Sequence, residues 1–318
     1  MTRVAAIDCG TNSIRLLVAD VDLASKTLTD VVRRMEVVRL GQGVDRTGRI
    51  APEAMERTLD ACRRYAAEAR EHGVEVVRFV ATSASRDAEN RQEFVDGVRE
   101  AFGVEPEVVA GAEEAALAFR GATGALAGKH GGPFLVVDLG GGSTELVLGT
   151  TSPVAAFSMD VGCVRLTERH LMSDPPTAQE IAAASADVVA ALDQAAKVVP
   201  FGRAATLVGL AGSVTTVTAH ALDLEEYDPA QIDGSVLATD KVLRSCQTLL
   251  GLTRSRRARL PFMHPGRVDV IGAGALIWSV VVSRVRADMG AKGVHLRTVV
   301  TSEHDILDGI AWSAAERV

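Results

Sequence analysis

The chain has few cysteines and no pattern among them: four in 318 residues, Cys9, Cys62, Cys163 and Cys246, with no C-x-x-C pair and no histidine at ligand spacing. That argues against a structural zinc site and predicts reduced, mostly buried thiols. No apolar run is long enough to span a bilayer. The longest, between Asp269 and Arg284, falls short of the ~20 residues a spanning helix needs and is read as core. An excess of basic charge is also missing. Lys and Arg total 34 against 41 Asp and Glu, a net charge of −7, which opposes the broad cationic face of a non-specific nucleic-acid binder and leaves room only for a local polyanion site. None of the seven histidines lies in an H-E-x-x-H pattern and there is no G-x-S-x-G elbow, so no histidine is assigned a catalytic role and no covalent serine intermediate is expected. Low-complexity tracts are absent. The strand-like run from Val4 to Ile7 meets Asp8 at once, without the basic and apolar stretches of a secretory signal, so a cytoplasmic location is expected.

What is present is the balance of a globular protein, 47% hydrophobic and 24% charged residues, in a length that predicts about two domains. An internal repeat supports this division. The segment from Ile7 to Val18 aligns without gaps to that from Val137 to Leu148, at an offset of 130 residues, with Asp, Gly, Ser and Leu at the same steps. Apolar spacing of three or four predicts a helix from Pro52 to Glu71. Strands are expected at Val74 to Thr82, Glu107 to Ala110 and Thr206 to Leu210, with a helix from Glu89 to Phe102. Thr177 and Glu180 form a capping-box signature that opens a further helix. This alternation favours an α/β architecture. The glycine-rich stretch from Gly121 to Pro133 is the best linker, which places a first domain at 1–125 and a second at 126–299. The segment 300–318, helical in its spacing, is expected to return to the first.

A strand that ends in Asp and enters a Gly-rich turn sets backbone N–H groups in one concavity, where they can donate to phosphate oxygens. Gly10, Thr11, Asn12 and Ser13 form one such turn; Gly140, Gly141, Gly142, Ser143 and Thr144 form the other. Asp8 and Asp138, at the strand ends, are positioned for Mg²⁺ directly or through water. A single turn of this kind is most often an ordinary hairpin; two related copies point to phosphate binding. A third strand-to-helix unit, Val208 to Thr216, contains Gly212 and Ser213. Alone it reads as tight helix–strand packing, and with the others as a third anion site. Arg86 and Asn90 lie four apart, on one face if a helix begins near Ser85, where they can grip a phosphate, with a salt bridge from Arg86 to Asp87 or Glu93 as the competing reading. Arg254, Arg256, Arg257 and Arg259 form a dense cationic run, for which a solvated helix face is the simpler reading.

The three loops together resemble the acetate kinase/Hsp70/actin superfamily. Ala5 to Arg15, Ala81 to Asn90, Gly111 to Ala115, Val137 to Glu145, Gly162 to Glu168 and Arg267 to Ile271 occur in the order seen in the Ppx/GppA family of exopolyphosphatases and guanosine pentaphosphate phosphohydrolases, in its short two-domain form. The resemblance implies two ribonuclease-H-like (actin-like ATPase) α/β domains with an interdomain cleft. It implies Glu114 as base for the attacking water, Asp138 and less firmly Asp8 as metal ligands, and Glu145 as a carboxylate of the same cleft. Arg15 and Arg267 become binders of the nucleotide or of the remaining phosphates. Mg²⁺ is the expected cofactor and a homodimer the expected assembly. The implied reaction is release of the terminal phosphate from inorganic polyphosphate, guanosine pentaphosphate or both. The competing readings are a superfamily kinase that phosphorylates a small acceptor and a non-catalytic nucleotide- or alarmone-binding protein.

Overall fold

Each repeated Asp-Gly segment closes an antiparallel hairpin, and each hairpin founds a sheet. A computed structural model describes residues 1–126 and 128–317, which fall into two units: Met1–Gly121 with the residues from Ile306 onward, and Ala122–Asp305. In the first unit β1 (Thr2–Cys9), β2 (Ser13–Asp22) and β3 (Thr27–Val37) form an antiparallel meander. β4 (Val76–Ala81) and β5 (Glu107–Val108) add in parallel, in the order β3-β2-β1-β4-β5. The helices α1 (Val44–Thr47), α2 (Pro52–Glu71), α3 (Ser83–Asp87) and α4 (Arg91–Phe102) connect these strands, and α5 (Gly111–Leu126) follows β5.

In the second unit β6 (Phe134–Leu139), β7 (Thr144–Gly149) and β8 (Pro153–Met159) repeat the meander. β9 (Thr206–Leu210) and β11 (Thr298–Thr301) add in parallel, and the short β10 (Val236–Ala238) closes the edge. The order β10-β11-β9-β6-β7-β8 contains the first sheet's order, strand for strand, plus one edge strand. Two ribonuclease-H-like domains result. Around the second sheet lie α6 (Cys163–His170), α7 (Ala178–Ala195), α8 (Ala211–Leu222), α9 (Pro229–Ile232), α10 (Thr239–Gly251), α11 (Arg254–Arg257) and α12 (Ile271–Gly290).

The burial pattern explains the elements. β6 and β7 are buried at every residue, as befits strands covered on both faces. The predicted core segment forms most of α12, apolar nearly all round and buried from Ile271 through Trp278. The helix predicted from Pro52 to Glu71 forms with those bounds, and Thr177 and Glu180 make the reciprocal capping bonds. α13 (Ile306–Ala315) belongs to the first unit, where it packs on β1 and β2. Asp308 pairs with Arg33 at 2.7 Å, and a Cβ on Gly309 would sit 2.0 Å from the Leu117 carbonyl oxygen.

Three local features depart from the sequence reading. The stretch taken as a linker is helical through Gly121 and Gly124 as far as Leu126, and its Ala127 lies outside the described residues, as does Val318 of the C-terminal segment. Residues 300–305 lie in the second unit, because β11 pairs with β9 and β10. The helix of Arg86 ends at Asp87, Ala88 is extended, and Asn90 caps the next helix, so Arg86 and Asn90 do not share a face. All four cysteines are free and buried. No helix among the described residues is long and apolar enough to cross a membrane.

Candidate active site

The two hairpin turns are built alike. Gly10 N–H donates to the Ser13 carbonyl at 2.9 Å and Gly140 N–H to the Ser143 carbonyl at 3.0 Å. In each, the turn's carbonyls are tied back into the protein. Arg39 and Gly41 donate to the carbonyls of Asn12 and Thr11, both at 2.8 Å, while Cys163 and Val164, at the start of α6, donate to those of Gly140 and Gly141 at 3.0 and 2.9 Å. The N–H groups of Thr11, Asn12, Gly141 and Gly142 find no such acceptor among the described residues, which leaves them as donors for an anion. The two threonine hydroxyls of the turns are engaged inside. Thr11 Oγ1 lies 2.8 Å from Ser83 Oγ, and Thr144 Oγ1 donates to the Val161 carbonyl at 2.6 Å.

The strand register sets different chemistry beside each turn. Asp8 faces Arg15 across β1 and β2, and the Arg15 Nη2 and Nε donate to Asp8 Oδ2 at 2.6 and 3.0 Å. Arg15, expected to offer its charge to the ligand, is held by Asp8 through Oδ2. Asp138 faces Glu145 across β6 and β7, so two buried acids occupy the same face of one register position. Ser158, opposite Glu145 on β8, donates to Glu145 Oε1 at 2.7 Å.

Glu114 enters from the first turn of α5 and is 7% exposed. Arg86 Nη1 reaches its Oε2 at 3.2 Å and also donates to the Val109 carbonyl at 2.9 Å. Burial is the largest influence on Glu114 and pushes its pKa up from 4.5 to about 7. The Arg86 charge and hydrogen bonds from Arg86 and Thr82 pull it down, and the Asp8 charge adds to the rise. A carboxyl poised near neutrality and held by a guanidinium is suited to accept a proton at physiological pH. The neighbouring Glu113 is bound by Arg78 at 2.6 Å on another side of the helix.

At the end of β9 the left-handed residue is Ala211, with φ 65°, a strained conformation for a residue with a Cβ. Gly212 lies directly under a guanidinium: a Cβ there would stand 2.2 Å from the Arg267 Cζ and would push that side chain aside. Arg267 Nη1 donates to the Gly212 carbonyl at 3.2 Å, which places its guanidinium beside the N-terminal turn of α8. Ser213 packs against Gly274, where a Cβ would stand 2.3 Å from its Oγ, so its side chain joins α8 to α12.

Some expected roles are thus reassigned. Asn90 is buried and spans Ile50, accepting from its N–H at 2.9 Å and donating to its carbonyl at 3.1 Å; both ends of the amide are used, and it grips the backbone where a phosphate had been expected. Arg86 pairs with Glu114, not with Asp87 or Glu93. Within the cationic run Arg257 is buried and donates to the carbonyls of Leu249 and Leu250, while Arg254, Arg256 and Arg259 are exposed. Sequence reasoning missed Thr82, Ser158 and the linked pair Tyr227 and Glu303. The Tyr227 hydroxyl lies 2.6 Å from Glu303 and 2.7 Å from Thr215 on α8, and burial raises the Glu303 pKa. Ser158, Tyr227 and Glu303 lie in no motif, and Thr82, although inside the Ala81–Asn90 segment, has no role of its own legible there.

Residues 17–292 match the Ppx/GppA phosphatase family. The chain is 52% identical over 99% of its own length and 99% of the relative's to a Mycobacterium tuberculosis protein named exopolyphosphatase 2. Among solved structures, an exopolyphosphatase-like protein superposes with a TM-score of 0.96 at 47% identity, covering 99% of both chains. A Ppx/GppA family member from Aquifex aeolicus superposes with a TM-score of 0.80 at 29% identity, over 99% of this chain and 98% of the other.

Proposed function

Because the chain belongs to the Ppx/GppA phosphatase family, we propose that it hydrolyses the terminal phosphoanhydride of inorganic polyphosphate, with water as acceptor and Glu114 as base. The observation that carries this reading is Glu114 itself: a buried carboxyl at the first turn of α5, held by Arg86, whose burial raises its pKa above the ordinary carboxylate range. In the step, the water oxygen bonds to the terminal phosphorus as its proton passes to Glu114. The bridging P–O bond breaks, and the shortened chain leaves with the bonding pair. In the first unit the unengaged N–H groups of the Thr11–Asn12 turn are donors suited to phosphoryl oxygens; in the second unit the Gly141–Gly142 turn, and separately the start of α8 beside Arg267, present donors of the same kind.

The donor set fits a hard divalent cation. Asp138 and Glu145 offer carboxylate oxygens from one register position. Mg²⁺ is an ion usually held by one or two carboxylates, with substrate oxygens and water completing its shell. When bound, it would offset charge on the phosphoryl oxygens. Guanosine pentaphosphate presents the same terminal linkage and falls within the same chemistry. A cytoplasmic location and pairing of two protomers belong to the same reading.

The test is orthophosphate release from purified full chain on polyphosphate and on guanosine pentaphosphate, with and without a chelator. Release from polyphosphate, abolished by chelation and restored by Mg²⁺, is expected. Chelator-insensitive release, or transfer to an acceptor other than water, contradicts the proposal.

A further inference from the structure

The segment after β3 starts on the first Asp-Gly turn, through the bonds from Arg39 and Gly41 to Asn12 and Thr11. It winds through α1, bounded by the left-handed Gly43 and Gly48, and is fixed at its far end where the Asn90 amide holds Ile50. Between it and the first turns of α2 lies a hollow of about 500 Å³, whose polar lining is Gln42, Arg46, Thr47, Arg49, Glu53 and Arg57. That volume is within the range of small-ligand sites.

The charge of this hollow runs against that of the chain: three guanidiniums face one carboxylate in a protein of net charge −7. Arg46 is exposed and makes no ion pair among the described residues. Arg49 makes two long, exposed ion pairs, with Glu89 at 3.7 Å and Glu93 at 3.8 Å. Arg57 gives Nε and Nη2 to the Val38 carbonyl, which orients it. An adjoining hollow of about 430 Å³ shares Arg49 but adds Glu56 and Glu93, and its Arg63 is tied to Asp60. Only the first hollow therefore favours a polyanion. A run of linked phosphoryl groups is the ligand chemistry that such a cationic wall, next to a phosphate-type turn, would hold.

We propose that this hollow is a chain-length subsite, holding internal phosphoryl groups of a linear polyphosphate whose end lies at the Thr11–Asn12 turn. The substrate class rests on the function proposed above; the subsite itself rests on the cavity and its arginines. The test is the ratio of kcat/KM on long-chain polyphosphate to kcat/KM on tripolyphosphate, for the full chain and for the double variant Arg46→Ala, Arg49→Ala. General damage affects both substrates and cancels in the ratio, which should fall about tenfold; an unchanged ratio overturns the subsite. Binding of long-chain polyphosphate to the Glu114→Gln chain, with and without the two alanines, separates this proposal from the hydrolase reading. If no substrate releases phosphate but the alanines weaken binding about tenfold, the hydrolase reading fails and the subsite stands. Unweakened binding overturns the subsite whatever the turnover shows. If the alanines impair turnover of guanosine pentaphosphate and leave long-chain polyphosphate untouched, the hollow is a nucleotide site and the proposal is wrong.

Discussion

Glu114→Gln lowers kcat for phosphate release about a thousandfold, the usual size of a lost general base, and leaves KM within a few-fold. The amide is nearly isosteric, and its carbonyl can still accept from Arg86, whose second anchor at the Val109 carbonyl is untouched. What disappears is the capacity to accept the proton of the attacking water. Steady-state kinetics on polyphosphate measure the effect. A loss smaller than about tenfold would assign the base elsewhere, because bound-state geometry alone is expected to survive the change.

Gly162→Ala is the second large effect, acting through the backbone. A Cβ at Gly162 would stand 2.3 Å from the Gly141 carbonyl oxygen, 2.4 Å from its carbon and 2.5 Å from the Gly142 nitrogen. These are main-chain atoms of the second turn, so no rotamer change relieves the contact. α6 or the turn must move, and the bonds that Cys163 and Val164 make to Gly140 and Gly141 stretch with it. The expected cost is about 3 kcal/mol in the second unit, typical of severe overpacking, together with loss of phosphate release. Thermal unfolding and kinetics on the same sample test it. Wild-type stability and activity would show that the turn yields freely and is no rigid cradle.

The features legible in the sequence were those encoded by adjacent residues. The Asp-Gly turns, their repeat, the capping box at Thr177 and the spacing of α2 each express a local backbone requirement, and each forms where expected. The glycines of α5 misled because helix propensity is weak against burial: Ala115, Ala118, Phe119 and Ala122 bury one face at helical spacing, which outweighs the roughly 1 kcal/mol that a helical glycine costs. Side-chain partners were hidden for a different reason. Arg86 meets Glu114 across 28 residues, and Asn90 meets Ile50 across 40; such pairings follow from how α3, α4 and α5 dock. Asp8 and Arg15 were closer to reach, since the hairpin register alone puts them opposite each other.

The most direct test of the proposed base is the pH dependence of kcat/KM for phosphate release in the wild type and in Arg86→Met. The active form of Glu114 is the ionised one. With its pKa raised to about 7, activity should fall about tenfold for each pH unit below that point and level off above it. The Arg86 charge lowers this pKa, so removing it should carry the acidic limb to higher pH. A profile flat through neutrality, or an acidic limb that stays in place without Arg86, would contradict the assignment of Glu114.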